Sequence, residues 1–254
     1  MPKRNDSAFP WNSLISGYAE VLEPDAYTFP RALKACGGHV IHSGCGNNKF
    51  VQKALLDMYA KCGDISKARK VFDPIVDRDV VSWNSMIIGY MRHNLTVEAL
   101  DLLQYFQQML KCRTLPNSIT LVSFLSARAH LGMVKDGERL FSMMRERYGI
   151  SLIMEHYACM VNLYGRAGSL DEAFDIIVNK MEFEAGPTVW GALLYGCYLH
   201  NNVDIGETAA TRLFELEPDN EHNFELLIRI YRNAGRSKDV ERIRLMMFER
   251  GLDL

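Results

Sequence analysis

Trp83-Asn84-Ser85-Met86-Ile87-Ile88-Gly89-Tyr90 is the stretch that decides the fold. A near copy, Trp11-Asn12-Ser13-Leu14-Ile15-Ser16-Gly17-Tyr18, stands 72 residues earlier. A chain that repeats itself at long period is built from stacked units, so the unit has to be read first. Val80, Val81, Trp83, Met86, Ile87 and Tyr90 fall at helical spacing, and so do Ala99, Leu102, Leu103, Phe106 and Met109. Asp79 is placed to cap the first of these helices. Asn94, between the two, is a residue type that tolerates a left-handed turn. The unit is therefore a pair of antiparallel helices joined by a tight turn.

A second signature recurs more widely. A Tyr is followed four residues on by Gly or Asn, and five further on by a small or apolar residue: Tyr59/Gly63/Ala68, Tyr90/Asn94/Ala99, Tyr164/Gly168/Ala173 and Tyr231/Gly235/Val240. Weaker copies are Gly132/Gly137 and Cys197/Asn201/Gly206. The middle anchors at 63, 94, 132, 168, 201 and 235 are separated by 31, 38, 36, 33 and 34 residues, a mean near 34. One helix pair cannot bury its apolar face alone, so neighbours must stack. No window alternates polar and apolar residues long enough to compete as a sheet. The expected fold is all-α, a right-handed superhelical solenoid of helix-turn-helix repeats.

Composition narrows the function. The chain has 254 residues, 48% apolar and 24% charged, with a net charge of −2, so no strong global field draws it to nucleic acid or to an acidic membrane. No apolar run reaches the length of a membrane-spanning helix. The six cysteines, at 36, 45, 62, 112, 159 and 197, are too sparse for a disulfide scaffold and read as reduced thiols. Residues 187–254 carry eight Lys and Arg against eleven Asp and Glu, net −3, which leaves +1 for the remainder.

Two constellations suggest chemistry and carry little weight. Cys36, His39, His42 and Cys45 form a run of metal-ligand types at i, i+3, i+6 and i+9, but zinc prefers two pairs separated by a loop, so no metal site is assigned. His156 and Cys159, with Asp171 near in sequence, share a helix on its apolar side; proximity in sequence is not a catalytic geometry, and no catalytic residue or cofactor is assigned.

Two families share the period. Tetratricopeptide repeats open with W-x₂-L-G-x₂-Y, whereas this chain opens with Trp-Asn-Ser-Met-Ile and closes units with Pro116-Asn117 and Pro218-Asp219. With unit lengths that vary, the chain resembles plant organellar pentatricopeptide-repeat proteins, in the subfamily of alternating P, L and S motifs and the E class. Residues 49–186 are similar to S (49–79), P-type (80–117), L (118–153) and closing S (154–186) motifs. Residues 187–254, from Pro187-Thr188-Val189-Trp190 through Pro218-Asp219 to the end, resemble two E motifs. Residues 1–48 resemble remnants of two shortened repeats: Trp11 to Phe29 is 18 residues where about 35 are expected from the unit length, and Phe29 to Gln52 is 23. The expectation is a truncated product whose first 48 residues pack poorly.

The resemblance implies a site. Pentatricopeptide repeats read one base of single-stranded RNA per repeat with two or three side chains. Asn84, the fifth residue of its repeat, and Asn117, the last, would hydrogen-bond a base edge, and in the family's code this pair favours cytosine. Val81 and Ile119 would sandwich the ring. Asn12 with Asp25 would be a uracil-type pair, and Lys53 with Asp79 an unusual one. Val122 with Ile153, and Ala158 with Gly186, offer little hydrogen bonding. Read alone, Asn84 is equally a solvated polar residue on a helix surface. One good pair is too few to specify a transcript site. Relatives that edit cytidine can carry a zinc deaminase marked by H-x-E and C-x-x-C, and neither pattern occurs in these residues. The implied function is non-catalytic: binding of organellar RNA for C-to-U editing or splicing, as a monomer, with partner factors recruited through residues 187–254. The expected location is the chloroplast, with the mitochondrion as the alternative; no transit segment is visible. The competing readings are a tetratricopeptide-like scaffold for proteins and a non-functional truncated product.

Overall fold

A computed structural model describes residues 49–93 and 99–252. Asn12, Asp25, Asn94, the Cys36/His39/His42/Cys45 run and the expectation for residues 1–48 lie outside that range. Within it the helices are α1 (Lys49–Lys61), α2 (Ile65–Phe72), α3 (Val80–His93), α4 (Ala99–Lys111), α5 (Ser118–Leu131), α6 (Val134–Glu146), α7 (Met154–Ala167), α8 (Leu170–Asp175), α9 (Pro187–His200), α10 (Val203–Leu216), α11 (Glu221–Asn233) and α12 (Ser237–Glu249). No strand occurs among the described residues. Odd-numbered helices are the first of each pair and even-numbered the second. The chain divides into two compact units, Met1–Ser123 and Phe124–Leu254.

The Tyr-x₃-Gly signature is the hydrogen-bonded end of the first helices α1, α5, α7, α9 and α11. Gly63, Gly132, Gly168, Asn201 and Gly235 all have left-handed backbones, with φ of 81°, 65°, 83°, 54° and 72°. The amide after each donates back to the carbonyl five residues earlier: Asp64 to Tyr59 (3.0 Å), Met133 to Arg128 (3.0 Å), Ser169 to Tyr164 (3.0 Å), Asn202 to Cys197 (3.0 Å) and Arg236 to Tyr231 (2.9 Å). This closes the helix and reverses the chain, and glycine adopts it without a steric penalty. After α6 Gly149 is also left-handed, with Ile150 donating six residues back to Met144 (3.0 Å); Gly251 after α12 and Arg113 after α4 repeat the five-residue bond, Leu252 to Met247 (3.0 Å) and Thr114 to Met109 (3.1 Å), Arg113 at φ of 58°. A side chain there is strained.

In the first unit α1 packs on both α2 and α3. Its core is aromatic. Phe72 meets Trp83 edge-on at 4.9 Å, and Tyr105 contacts Phe72, Trp83 and Tyr90 at 5.7, 6.3 and 5.1 Å between ring centres. Arg78 closes this cluster, its guanidinium 4.6 Å from the centre of Phe72 while it donates to the carbonyls of Phe72 and Asp73.

In the second unit α7 packs on α9, and α9 on α10 and α11. First helices approach closely because small residues meet: a Cβ built on Gly196 would lie 2.7 Å from the Cα of Gly165. The same crossing in the first unit sets Gly89 against Ala60. Neighbouring pairs are also latched by hydrogen bonds from the next first helix to the preceding second helix: Tyr164 donates to Glu138 (2.5 Å) and Tyr231 to Glu207 (2.9 Å). Phe214 of α10 stacks on Phe224 of α11 at 3.8 Å. After α8 the helix widens into a π-turn over Ile176–Lys180, closed by Met181 donating to Ile176.

Two substitutions test these assignments in thermal or urea melts of the whole chain. Gly196→Ala is expected to destabilise by about 1–3 kcal/mol, since two backbones must part. Arg113→Gly is expected to stabilise by about 0.5–1 kcal/mol by removing left-handed strain. An unchanged midpoint in either variant would contradict the corresponding account.

Candidate nucleic-acid interface

The last residue of a repeat is also the N-cap of the next first helix, and this places it beside the fifth residue of its own repeat. Asn117 Oδ1 accepts the backbone N–H of Thr120 (3.0 Å), and Asp79 Oδ1 accepts that of Ser82 (3.0 Å). Both satisfy amides that a helix start leaves without partners. Asn84 then reaches Asn117: its Nδ2 donates to Asn117 Oδ1 at 3.1 Å. Lys53 reaches Asp79 in the same way, with Nζ 2.5 Å from Oδ2. The two pairs proposed from sequence positions 33 and 26 residues apart are thus both in direct contact.

Asn84 is not a solvated surface residue. It is only 7% exposed, whereas Val81 and Ile119 are 54% and 55% exposed. Two exposed aliphatic side chains and a half-buried Asn117 therefore accompany a polar edge held from beneath. That combination can receive a flat ring and address its polar edge.

Sequence reasoning missed the residues that hold the edge. Thr120 is fully buried; its hydroxyl lies 2.6 Å from Asn84 Oδ1 and 2.9 Å from Asn117 Oδ1, and it accepts the N–H of Asn117 at 3.1 Å. Ser82, equally buried, donates its hydroxyl to Asp79 Oδ1 at 2.8 Å. The signal was present: Asp79-x-x-Ser82 and Asn117-x-x-Thr120 repeat one spacing, a cap residue followed three later by a hydroxyl.

The other positions lack this chemistry. Val122 is half-buried, Ile153 is apolar, Ala158 is buried, and the Gly186 N–H turns to the sulfur of Met154. His156 is fully buried and accepts the N–H of Ile153 on Nδ1, so it closes the start of α7. Burial, with Glu155 nearby, pushes the Cys159 thiol up to about 11, the reverse of an activated nucleophile, and Asp171 is exposed. Among the described residues no cluster of His, Cys, Asp and Glu could hold a metal ion, and no helix is long and apolar enough to cross a membrane.

Comparison with known proteins places this architecture. The PPR repeat profile matches residues 53–73, 81–112 and 155–178, and the E motif profile matches 200–253. A chloroplastic pentatricopeptide repeat-containing protein of Arabidopsis thaliana is 44% identical over an alignment covering all of this chain and 71% of the relative. The chain belongs to the pentatricopeptide-repeat family. The chloroplastic Arabidopsis member CRR2 is 38% identical, with 99% of this chain and 42% of that protein covered. A mitochondrial Arabidopsis member is 42% identical, with 86% and 33% covered. The chain thus spans 71% of the first relative and less than half of the other two. The first alignment runs over 374 residues against 254 in this chain, and 374 less 254 leaves at least 120 residues of that relative without a counterpart inside the aligned stretch. Among solved structures, the pentatricopeptide repeat protein PPR10 in complex with an 18-nt psaJ RNA element superposes with a TM-score of 0.78 at 15% identity, covering 100% of this chain and 36% of that one. That likeness shows the fold, a helical-repeat solenoid.

Asp79 makes the pair with Lys53 sensitive to acid. Burial opposes its charge, but hydrogen bonds from Lys53 and Ser82 outweigh it and hold the carboxyl below its usual 3.8. A depressed carboxyl stabilises the fold above the unfolded-state value and loses that contribution as pH falls through the folded one. The wild-type melting midpoint should therefore exceed that of Asp79→Asn near pH 7, with the gap closing below about pH 4. Asparagine still caps the helix, so a gap independent of pH would contradict the assignment.

Proposed function

We propose that this pentatricopeptide-repeat chain binds single-stranded organellar RNA and reads one pyrimidine through its 80–117 repeat. The observation that carries this reading is the Asn84–Asn117 contact, supported by buried Thr120 and flanked by exposed Val81 and Ile119. A base sandwiched by the two aliphatic side chains would meet the amides edge-on, which suits the family's cytosine preference for an Asn/Asn pair. That PPR10 was solved in complex with an 18-nt psaJ RNA element supports RNA binding by a stack of such repeats. Lys53 with Asp79 would be a second contact of weaker specificity, and Val122 a position without base-edge hydrogen bonding. Asn12 and Asp25 retain the uracil-type role that the resemblance implies.

The protein has no catalytic role in this reading. It takes part in C-to-U editing or splicing by positioning other factors, recruited through residues 187–254, of which the E motif profile matches 200–253 and whose net charge is negative. The exposed Leu245 and Phe248 on α12 support a protein-docking role for that end. A chloroplast location follows the first relative, and the mitochondrial relative supplies the alternative.

Selection of a randomised single-stranded RNA pool by the purified chain, at two salt concentrations, tests this. The expected result is weak, salt-dependent retention with cytosine enriched at one position, lost in Asn84→Ala. No retained RNA at low salt would reject the reading and leave a protein scaffold as the surviving function.

A further inference from the structure

Hydrogen-bond accounting at the Asn84–Asn117 pair fixes more than a contact. The backbone N–H of Thr120 can only donate, so the Asn117 atom facing it at 3.0 Å must be oxygen. The Asn84 atom facing that same oxygen at 3.1 Å must then be nitrogen. Its other amide atom, 2.6 Å from the Thr120 hydroxyl, must therefore be oxygen, and the hydroxyl donates to it. The hydroxyl has one proton, so Asn117 Oδ1 is filled by two N–H groups, its full capacity. Asn84 Oδ1 keeps one lone pair but lies in a buried contact with Thr120, so what the pair has left to offer outward is N–H: the second hydrogen on Asn84 Nδ2 and both on Asn117 Nδ2.

We infer that Thr120 is a specificity-determining positioning residue, which turns the Asn84–Asn117 pair into a hydrogen-bond donor toward the base. Cytosine presents acceptors at N3 and O2 and matches donors; uracil carries a hydrogen at N3 and opposes them. The preference for one pyrimidine is thus set by a residue that touches no base: its N–H orients Asn117, and its hydroxyl holds the Asn84 amide. In the preceding repeat buried Ser82 fills Asp79 Oδ1 through both its N–H (3.0 Å) and its hydroxyl (2.8 Å), so there the hydroxyl serves the cap residue itself. This assignment rests on the base-reading role proposed above.

The test uses the RNA that the wild-type chain enriches, in two versions with cytosine or uracil at the position read by Asn84, competed for binding. Thr120→Val removes the hydroxyl but keeps the backbone N–H that Asn117 caps. Without the hydroxyl, Asn84 Oδ1 loses its donor and the amide is held by Asn117 alone, so it can rotate off that contact and accept the uracil N3–H. The cytosine-to-uracil binding ratio should fall roughly three- to ten-fold, the worth of about one hydrogen bond, and Thr120→Ser should restore it. A melting curve checks folding, and Thr120→Ala serves as the second hydroxyl-free variant should Val not fit. A wild-type ratio well above one that persists in both variants would overturn the role of Thr120 while leaving base reading intact. A wild-type ratio of one would overturn base reading itself, and the role of Thr120 with it.

Discussion

The described structure depends on a left-handed residue at the end of the first helices α1, α5, α7, α9 and α11. The amide that follows it donates back five residues, and this bond determines where the helix stops and which way the chain turns. With the turn set, the second helix returns antiparallel to the first, and its apolar residues face the neighbouring pair. Five repeats use the same bond with three residue types at its acceptor end, Tyr in three of them, Arg in one and Cys in one. The constraint is on the backbone, so the side chain at the acceptor position is free to vary with its packing.

The same economy operates at the other end of those helices. Asp79 and Asn117 end one repeat, cap the next, and stand beside the fifth residue of their own. A helix start supplies amides without partners, and a short polar side chain must be there to receive them. The proposed reading edge is therefore built from a group the fold already requires, and its orientation is inherited from the helix.

The fold was legible because its determinants are local. The spacing of Gly63, Gly132, Gly168, Asn201 and Gly235 marks turns that chain sterics alone impose. Trp83, Met86 and Ile87 stood at helical spacing and are fully buried. The site was half legible: Asn84 and Asn117 were found by position, but the burial of Asn84 was not, because it comes from Thr120 of the next helix, a tertiary contact that no single repeat encodes. The left-handed Arg113 and the π-turn at Ile176–Lys180 were equally hidden. Arginine gives no sign that it will be forced into a glycine conformation, and a widened turn leaves the apolar pattern nearly unchanged.

The double duty of Asn117 has an evolutionary consequence. Helix starts accept Asn, Asp, Ser and Thr at nearly equal stability, and reject most other residues by about 1 kcal/mol. A mutation that exchanges one of these for another alters the hydrogen-bonding face shown to a ligand while the helix beneath stays capped. Recognition can drift across that small alphabet on an almost level fitness surface as far as folding is concerned. Departures from it are resisted twice, once by the helix and once by whatever the repeat reads.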